Sequence, residues 1–239
     1  VRIKTMQYVY AYETTASAPS SQFQQYLENS ILSVKEQYLY LLYTIREVAN
    51  FVEKDAKIKA GKHIKNEKDR NFSTKLLSNV IVQYLNNDKE FAAEIKNAKV
   101  AAMMDDDNVR QLYKKMTESD EYNAYLNNGS EFNIEEDRAI ITFMLNHILL
   151  EDEVYTANLE ELFTNWMDDA EYVVEAVYEV IQKSKNELKL HLEKGSLKEK
   201  FNELKQFGLD LFNETINHKK EHEKLIEPKL KNWETDRLA

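Results

Sequence analysis

His218, Glu221 and His222 have the residue types and the spacing of a zinc site. The pattern H-x-x-E-H places two imidazoles four residues apart on one side of a helix. In that position they can hold Zn²⁺, with the glutamate acting as a general base. The surrounding sequence, NHKKEHEK, is instead typical of a charged helix face in contact with solvent. We therefore expect a surface helix here, and neither a metal nor another cofactor.

Two runs of aspartate have the charge to attract a cation. Asp105–Asp107 precedes a helical pattern that starts at Val109, and Asp168–Asp169 precedes another. A calcium loop requires spaced oxygen ligands around a central glycine, which both runs lack. Aspartates at a helix start accept hydrogen bonds from its free N–H groups and favour its dipole. We interpret both runs as helix starts.

The sequence lacks the motifs that nucleotide-binding and hydrolytic enzymes use most often. Its four glycines are too scattered for a G-x-G-x-x-G, P-loop or G-x-S-x-G turn and lie at positions 61, 129, 195 and 208. The absence of cysteine excludes a thiol nucleophile and fits a reducing cytosol. His147 lies in the apolar run from Phe143 to Leu150, where we expect a core histidine bonded to backbone. The sequence therefore favours a protein that is not an enzyme.

Three tyrosines near the N-terminus, Tyr8, Tyr10 and Tyr12, follow each other in steps of two residues. Each step turns a helix by about 200°, so we expect at least one of the three rings to be exposed. Arg2 and Lys4 lie close by in the sequence. Basic side chains beside an exposed ring suit single-stranded RNA, because bases stack on the ring and phosphates pair with the cations. Packing of the tyrosines between helices is the alternative interpretation.

The two ends of the chain also carry recognisable patterns. The start, VRIKTMQYVYAYE, has a basic first turn followed by Gln7 and a Val9–Tyr10 pair. The end has Ile226-Glu227-Pro228, then L-K-N-W from Leu230 and D-R-L-A up to Ala239. These patterns resemble the first helix, a later helix and the motif after it in the NusB family of transcription antitermination factors, over about 45 of the 239 residues. The helices between them look like the extra segment of enlarged NusB variants.

The resemblance implies an all-helical, RNA-binding protein of the bacterial cytoplasm. Such a protein pairs with NusE, a ribosomal protein of the small subunit, and binds a boxA element in nascent RNA. The pair helps RNA polymerase to resist early termination, chiefly on ribosomal RNA operons. By position, Arg2 and Lys4 are expected at phosphates, and Gln7 and Tyr10 at bases or in packing. Further residues of the family motif, structural or facing the partner, are Trp233, Asp236 and Arg237.

The NusB family continues after D-R-[IL]-A through helices that complete a second bundle. We therefore expect this chain, which stops at Ala239, to leave an apolar face exposed. Two other function classes stay open: a non-enzymatic helical scaffold for protein interactions, and a ribosomal RNA methyltransferase, because NusB-like domains also precede such enzymes. The methyltransferase needs a cofactor-binding α/β domain, which residues 1–239 do not provide.

The scarcity of turn residues predicts the fold class. With 4 Gly and 2 Pro, the chain is poorly suited to a sheet-rich fold, and helical periodicity covers most of it. We predict an all-α multi-helix bundle, with a first helix at 1–15, a long helix at 21–53 and shorter helices after it. In family terms, 1–16 is the first helix of a NusB-like bundle, 17–195 a large helical insertion and 196–239 the later NusB-like helices. No uncharged apolar run is long enough for a membrane span.

The charge of −10 is concentrated in the middle of the chain. Between Asp105 and Glu175 there are 19 acidic and 4 basic residues, whereas the rest has 28 basic and 23 acidic residues. RNA can therefore bind the basic flanks, namely the first turn, 54–70 and 183–237. Our hypothesis is that the acidic segment of the insertion restricts nonspecific RNA binding.

Overall fold

The computed structural model describes residues 1–15, 17–61, 72–128, 133–183 and 197–229, and the prediction of an all-α fold is confirmed for them. Short 3₁₀ turns lie at Lys75–Ser78 and Glu227–Lys229, and a π-helix at Met144–Leu149 continues α8. The α-helices are α1 (Arg2–Thr14), α2 (Ser20–Ala60), α3 (Val80–Asn87), α4 (Lys89–Asn97), α5 (Val100–Met103), α6 (Asp106–Glu118), α7 (Asp120–Asn127), α8 (Ile134–Phe143), α9 (Glu153–Leu162), α10 (Trp166–Lys183), α11 (Leu197–Asn217) and α12 (Lys219–Ile226).

Polar side chains start most of the short helices, as the sequence predicts. The Asp105 carboxylate accepts a hydrogen bond from the Asp107 amide at 2.8 Å, so this aspartate run is the start of α6. Asn133 accepts from the Glu135 amide at 3.0 Å and donates to the Glu136 carboxylate at 2.7 Å, which closes the cap of α8. Side chains of the same kind cap α3, α4, α7 and α9 at Asn79, Asp88, Ser119 and Asp152.

Three helix bounds differ from the prediction. α2 continues to Ala60, seven residues beyond the predicted end at 53. α10 begins at Trp166 because the Asn165 carbonyl accepts from the amides of Asp168 and Asp169, so the aspartates lie in the first turn instead of preceding it. In the sequence, Ser196 followed by Glu199 has the pattern of a capping box and predicts one helix from there to about residue 222. The structure interrupts that helix at His218, which separates α11 from α12, and Ser196 lies outside the described residues.

The chain divides into two compact units, and the division falls inside α2. The terminal unit comprises Val1–Lys35 and the described residues of Lys194–Ala239, and the central unit is Glu36–Glu193. The predicted insertion at 17–195 therefore begins earlier in the chain than the central unit, which begins at Glu36. The reason is that the first turns of α2 pack in the terminal unit, where the Tyr12 ring lies 5.6 Å from the Phe23 ring.

In the terminal unit, α1 packs on α11 and on the first turns of α2. Gly208 of α11 permits the close approach: a Cβ atom there would lie 2.9 Å from Ile31 Cδ1 and 3.0 Å from Val1 Cγ1. Apolar side chains at helical spacing bury the contact. The buried core residues of this unit are Phe23, Leu27, Ile31, Val34, Phe201 and Phe212.

In the central unit, Asp137 of α8 joins three elements through hydrogen bonds. Its carboxylate accepts from the Val80 amide at 2.8 Å and from the Tyr125 hydroxyl at 2.7 Å, while its carbonyl accepts from Asn79 at 3.0 Å. Burial and the bond to Asp137 raise the pKa of Tyr125. The part of α2 in the central unit supplies a stripe of buried apolar side chains, which includes Leu39, Leu41, Leu42, Ile45, Val48, Ala49 and Val52.

Among the described residues, no helix combines the length and the apolar character needed to cross a membrane.

Candidate nucleic-acid interface

α1 turns one side to its bundle and the other side to solvent. Each residue turns a helix by about 100°, which groups residues 2, 3, 6, 7 and 10 on one half of the surface. All five are exposed, and Ile3, Met6 and Tyr10 are 69%, 65% and 59% exposed. We call this surface the α1 face: Arg2, Ile3, Met6, Gln7 and Tyr10.

The three tyrosines of α1 separate into two packed rings and one exposed ring. Tyr8 lies against Tyr26 of α2, with ring centroids 6.5 Å apart. Tyr12 lies between Phe23 at 5.6 Å and Phe212 at 6.2 Å. The prediction that at least one of these tyrosines is exposed is confirmed by Tyr10.

Lys4 lies in the interior of the terminal unit and not on the α1 face. Lys4 is 9% exposed, and its ammonium donates a hydrogen bond to Ser30 Oγ at 2.9 Å. Lys4 is four residues before Tyr8, and this spacing places both on the side of α1 that packs on α2. Lys4 is therefore not at the surface, where the expected contact with a phosphate would be made, whereas Arg2 and Gln7 are exposed.

Both carboxylates of the first 35 residues are neutralised by lysines of α11 and α12. Glu28 accepts from Lys205 at 2.8 Å. Glu13 follows Tyr10 by one turn on the same side of α1 and forms an ion pair with Lys219. The hydrogen bond to Glu13 raises the pKa of Lys219, which keeps the ammonium charged. The surface around α1 therefore carries the charge of Arg2 without an opposing free carboxylate from this part of the chain.

The other predicted functional residues belong to the central unit or lie outside the described ranges. Trp233, Asp236 and Arg237 fall in 230–239, which the structure does not describe, as do 62–70 and 184–196 of the basic flanks. Of the basic segment 54–70, the structure describes residues 54–61. There the Lys59 ammonium pairs with the Asp55 carboxylate at 2.8 Å.

The histidines form no metal centre within the described ranges. His218 and His222 have ring centroids 6.5 Å apart, and His218 Nδ1 lies 3.0 Å from the Glu214 carboxylate. Among the residues that the structure describes, no group of three or more His, Asp and Glu side chains is placed to hold a metal ion. The pattern H-x-x-E-H lies on the exposed surface of the short helix α12 and the residue before it.

The expectation of a core position for His147 is wrong. The ring is exposed, and its Nδ1 lies 2.8 Å from Glu151 Oε1. The buried positions 144, 145, 148 and 149 recur at helical spacing on one side of the segment, and position 147 falls on the opposite side. The residues buried there are Met144, Leu145, Ile148 and Leu149.

Two features of the interface have no clear signal in the sequence. One is the Glu13–Lys219 ion pair, which joins residues 206 positions apart. The other is the exposure of Tyr26, an aromatic residue of α2 whose spacing also fits a core position. In comparisons with protein-family models, curated proteins and solved structures, nothing matches this chain. What the protein does is therefore inferred from its own residues.

Proposed function

We propose that this chain is a non-enzymatic transcription antitermination factor of the NusB type, which binds single-stranded, boxA-like nascent RNA through the α1 face. In this proposal it acts with the ribosomal protein NusE and helps RNA polymerase to resist early termination, chiefly on ribosomal RNA operons. The observation that carries the proposal is the exposed Tyr10 ring, which shares one helix face with Arg2 and Gln7.

The three side chains supply complementary contacts for RNA. The Tyr10 ring offers a stacking surface for a base, and Arg2 offers a guanidinium for a phosphate. Gln7 lies between them on the helix and has both a donor and an acceptor for a base edge. Arg2 and Tyr10 are separated by about 12 Å along the axis, because each residue rises by about 1.5 Å. The α1 face therefore matches a short segment of unpaired RNA.

The neutralised carboxylates support an anionic ligand. A free Glu13 one turn from Tyr10 would repel a phosphate beside the stacked base. Its pairing with Lys219 removes most of that repulsion. Because phosphate contacts release counterions, we expect the affinity for RNA to fall steeply as the salt concentration rises.

A helical scaffold for protein interactions is the second candidate, and the exposure of Ile3 and Met6 favours it. Exposed apolar side chains on one helix face are typical of protein docking surfaces. The two candidates differ in the ligand that depends on Tyr10 and Arg2. In the scaffold, a protein partner binds the α1 face and RNA does not.

Variants of the intact protein separate the two candidates. Arg2→Ala and Tyr10→Asp are each expected to weaken binding of boxA RNA, measured by fluorescence anisotropy at several salt concentrations. Matched controls are Arg110→Ala and Tyr172→Asp, because both residues are exposed in the central unit. Binding that is insensitive to salt, or equal for boxA and unrelated RNA, would contradict the proposal. Retention of the protein on immobilised NusE tests the partner separately.

A further inference from the structure

Tyr26 of α2 is an exposed aromatic ring held in place by three neighbours. Its ring centroid lies 6.5 Å from that of Tyr8 at an interplanar angle of 36°, and 6.0 Å from that of Phe23 at 84°. Its hydroxyl accepts a hydrogen bond from Gln22 Nε2 at 2.6 Å. The residue is nevertheless 44% exposed. Tyr26 is therefore oriented by contacts on its packed side and still presents ring surface to solvent.

Tyr26 contacts α1 at Tyr8, which lies about 160° around the helix from Tyr10. On the helix surface, Gln7 and Ala11 lie between Tyr10 and the side on which Tyr8 contacts Tyr26. Ala11 has the smallest side chain of this strip, so it leaves room for a ligand to cross the helix. A ligand that passes from Tyr10 to Tyr26 therefore crosses the Gln7 amide and the small Ala11 side chain.

The acidic side chains near this path are ion-paired and therefore do not repel an anion strongly. Glu28 is the acidic residue of α2 nearest in sequence to Tyr26, and its carboxylate is paired with Lys205 at 2.8 Å. At the other end of the path, Glu13 is paired with Lys219. A phosphodiester that crosses α1 between the two rings therefore meets ion-paired carboxylates instead of free ones.

We propose that Tyr26 is a second base-stacking residue, which binds a base several nucleotides along the strand from the one stacked on Tyr10. This inference rests on the proposed function and adds that the ligand is a run of several unpaired nucleotides, whose backbone passes around α1 over Gln7 and Ala11. Two rings on adjacent helices provide stacking for any base, so Tyr26 contributes affinity with little sequence preference.

A purely structural role of Tyr26 predicts a different response to substitution. If the ring only covers Tyr8 and Phe23, leucine replaces most of its apolar contact and RNA binding is unchanged. If the ring stacks on a base, leucine removes the π-surface, whereas phenylalanine keeps it. Tyr26→Leu and Tyr26→Phe therefore distinguish the two roles in the full chain.

The experiment compares the affinity of these variants for a mononucleotide and for single-stranded RNA of increasing length. The wild-type protein is expected to gain affinity at the length that reaches both rings, and Tyr26→Leu is expected to lose that gain. For longer RNA, Tyr26→Leu should bind at least about five-fold more weakly, the low end of the effect of losing one stacked base. Tyr26→Phe should bind as the wild type does. Tyr172→Leu is the matched control, because it removes an exposed tyrosine of the central unit.

A fluorescence measurement keeps the test valid if Tyr26→Leu unfolds. Tyr26→Trp retains an aromatic ring, and RNA is expected to quench its emission beyond any quenching of the wild-type protein, whose Trp166 and Trp233 also emit. Tyr172→Trp should show no such additional quenching. Unchanged affinity of Tyr26→Leu together with no additional quenching of Tyr26→Trp would overturn the inference. If Tyr10→Leu still weakens binding in that case, the proposed function stands and only the second stacking position is lost. If the wild-type protein binds no RNA, both fall.

Discussion

The ion pair between Lys219 and Glu13 gives a sharp prediction about RNA binding. Lys219→Ala leaves Glu13 as a free carboxylate one turn from Tyr10 on the same side of α1. Lys220→Ala, at the next position, removes the same charge from an exposed residue and leaves the ion pair intact. We expect Lys219→Ala to weaken RNA binding more than Lys220→Ala, although both change the net charge equally.

The size of the effect follows from Coulomb's law. A phosphate about 8 Å from the freed carboxylate is repelled by about 0.5 kcal/mol in water and by about 2 kcal/mol at the effective dielectric constant of a protein surface. Physiological salt reduces this to about 0.2–0.8 kcal/mol, because the separation is about one Debye length. The affinity should therefore fall by about 1.5- to 4-fold at physiological salt, and by more at lower salt.

A rescue variant tests the electrostatic reasoning. Glu13→Gln combined with Lys219→Ala removes the freed charge and should restore most of the lost affinity, measured by fluorescence anisotropy with single-stranded RNA. Circular dichroism of each variant establishes that α1 is still helical. Equal weakening by Lys219→Ala and Lys220→Ala, or no rescue by Glu13→Gln, would refute the assignment of Glu13 to the interface.

Three further predictions concern the scaffold that holds the interface. Asp137→Ala leaves the Val80 amide and the Tyr125 hydroxyl without their acceptor, so urea denaturation should show a loss of about 2–5 kcal/mol, and a loss below about 0.5 kcal/mol would contradict the role of Asp137. Gly208→Val forces a side chain against Ile31 and Val1 and should lower the melting temperature, whereas Gly61→Ala, whose Cβ would lie 3.6 Å from its nearest neighbour, should be tolerated. For Asp152, burial raises the pKa, but hydrogen bonds from Lys115 and the Tyr155 amide outweigh it and lower the pKa. The stabilisation is thus present above the unfolded pKa of about 4 and lost as the pH falls through the lower folded value, so Asp152→Asn should flatten the acid limb of the stability curve.

The helices and their starts follow from local sequence. The long helix α2 is predicted because apolar residues recur at three and four positions without an internal Gly or Pro. The caps at Asp105 and Asn133 depend only on the side chain and the amides that follow it, so they are also predictable. α10 shows the limit of this reasoning, because the Asn165 carbonyl starts the helix before the aspartates.

The orientation of α1 depends on tertiary packing and is not predictable from these local patterns. α1 carries apolar or aromatic residues on both sides, so the sequence does not show that Tyr8 and Tyr12 pack while Ile3 and Met6 are exposed. The burial of Lys4 requires Ser30 of another helix at hydrogen-bonding distance. His147 is the opposite case, because its buried neighbours recur at helical spacing and leave position 147 on the exposed side.

The most direct test of the central claim is ultraviolet cross-linking of the protein to boxA RNA, with the cross-linked residues mapped by mass spectrometry. If the α1 face binds RNA, cross-links should occur at Tyr10, and excess unlabelled boxA RNA should compete them away. Arg2→Ala should reduce their yield, whereas Arg110→Ala should not. Cross-links confined to the acidic helices α9 and α10, or RNA binding with no cross-link in α1, would contradict the account.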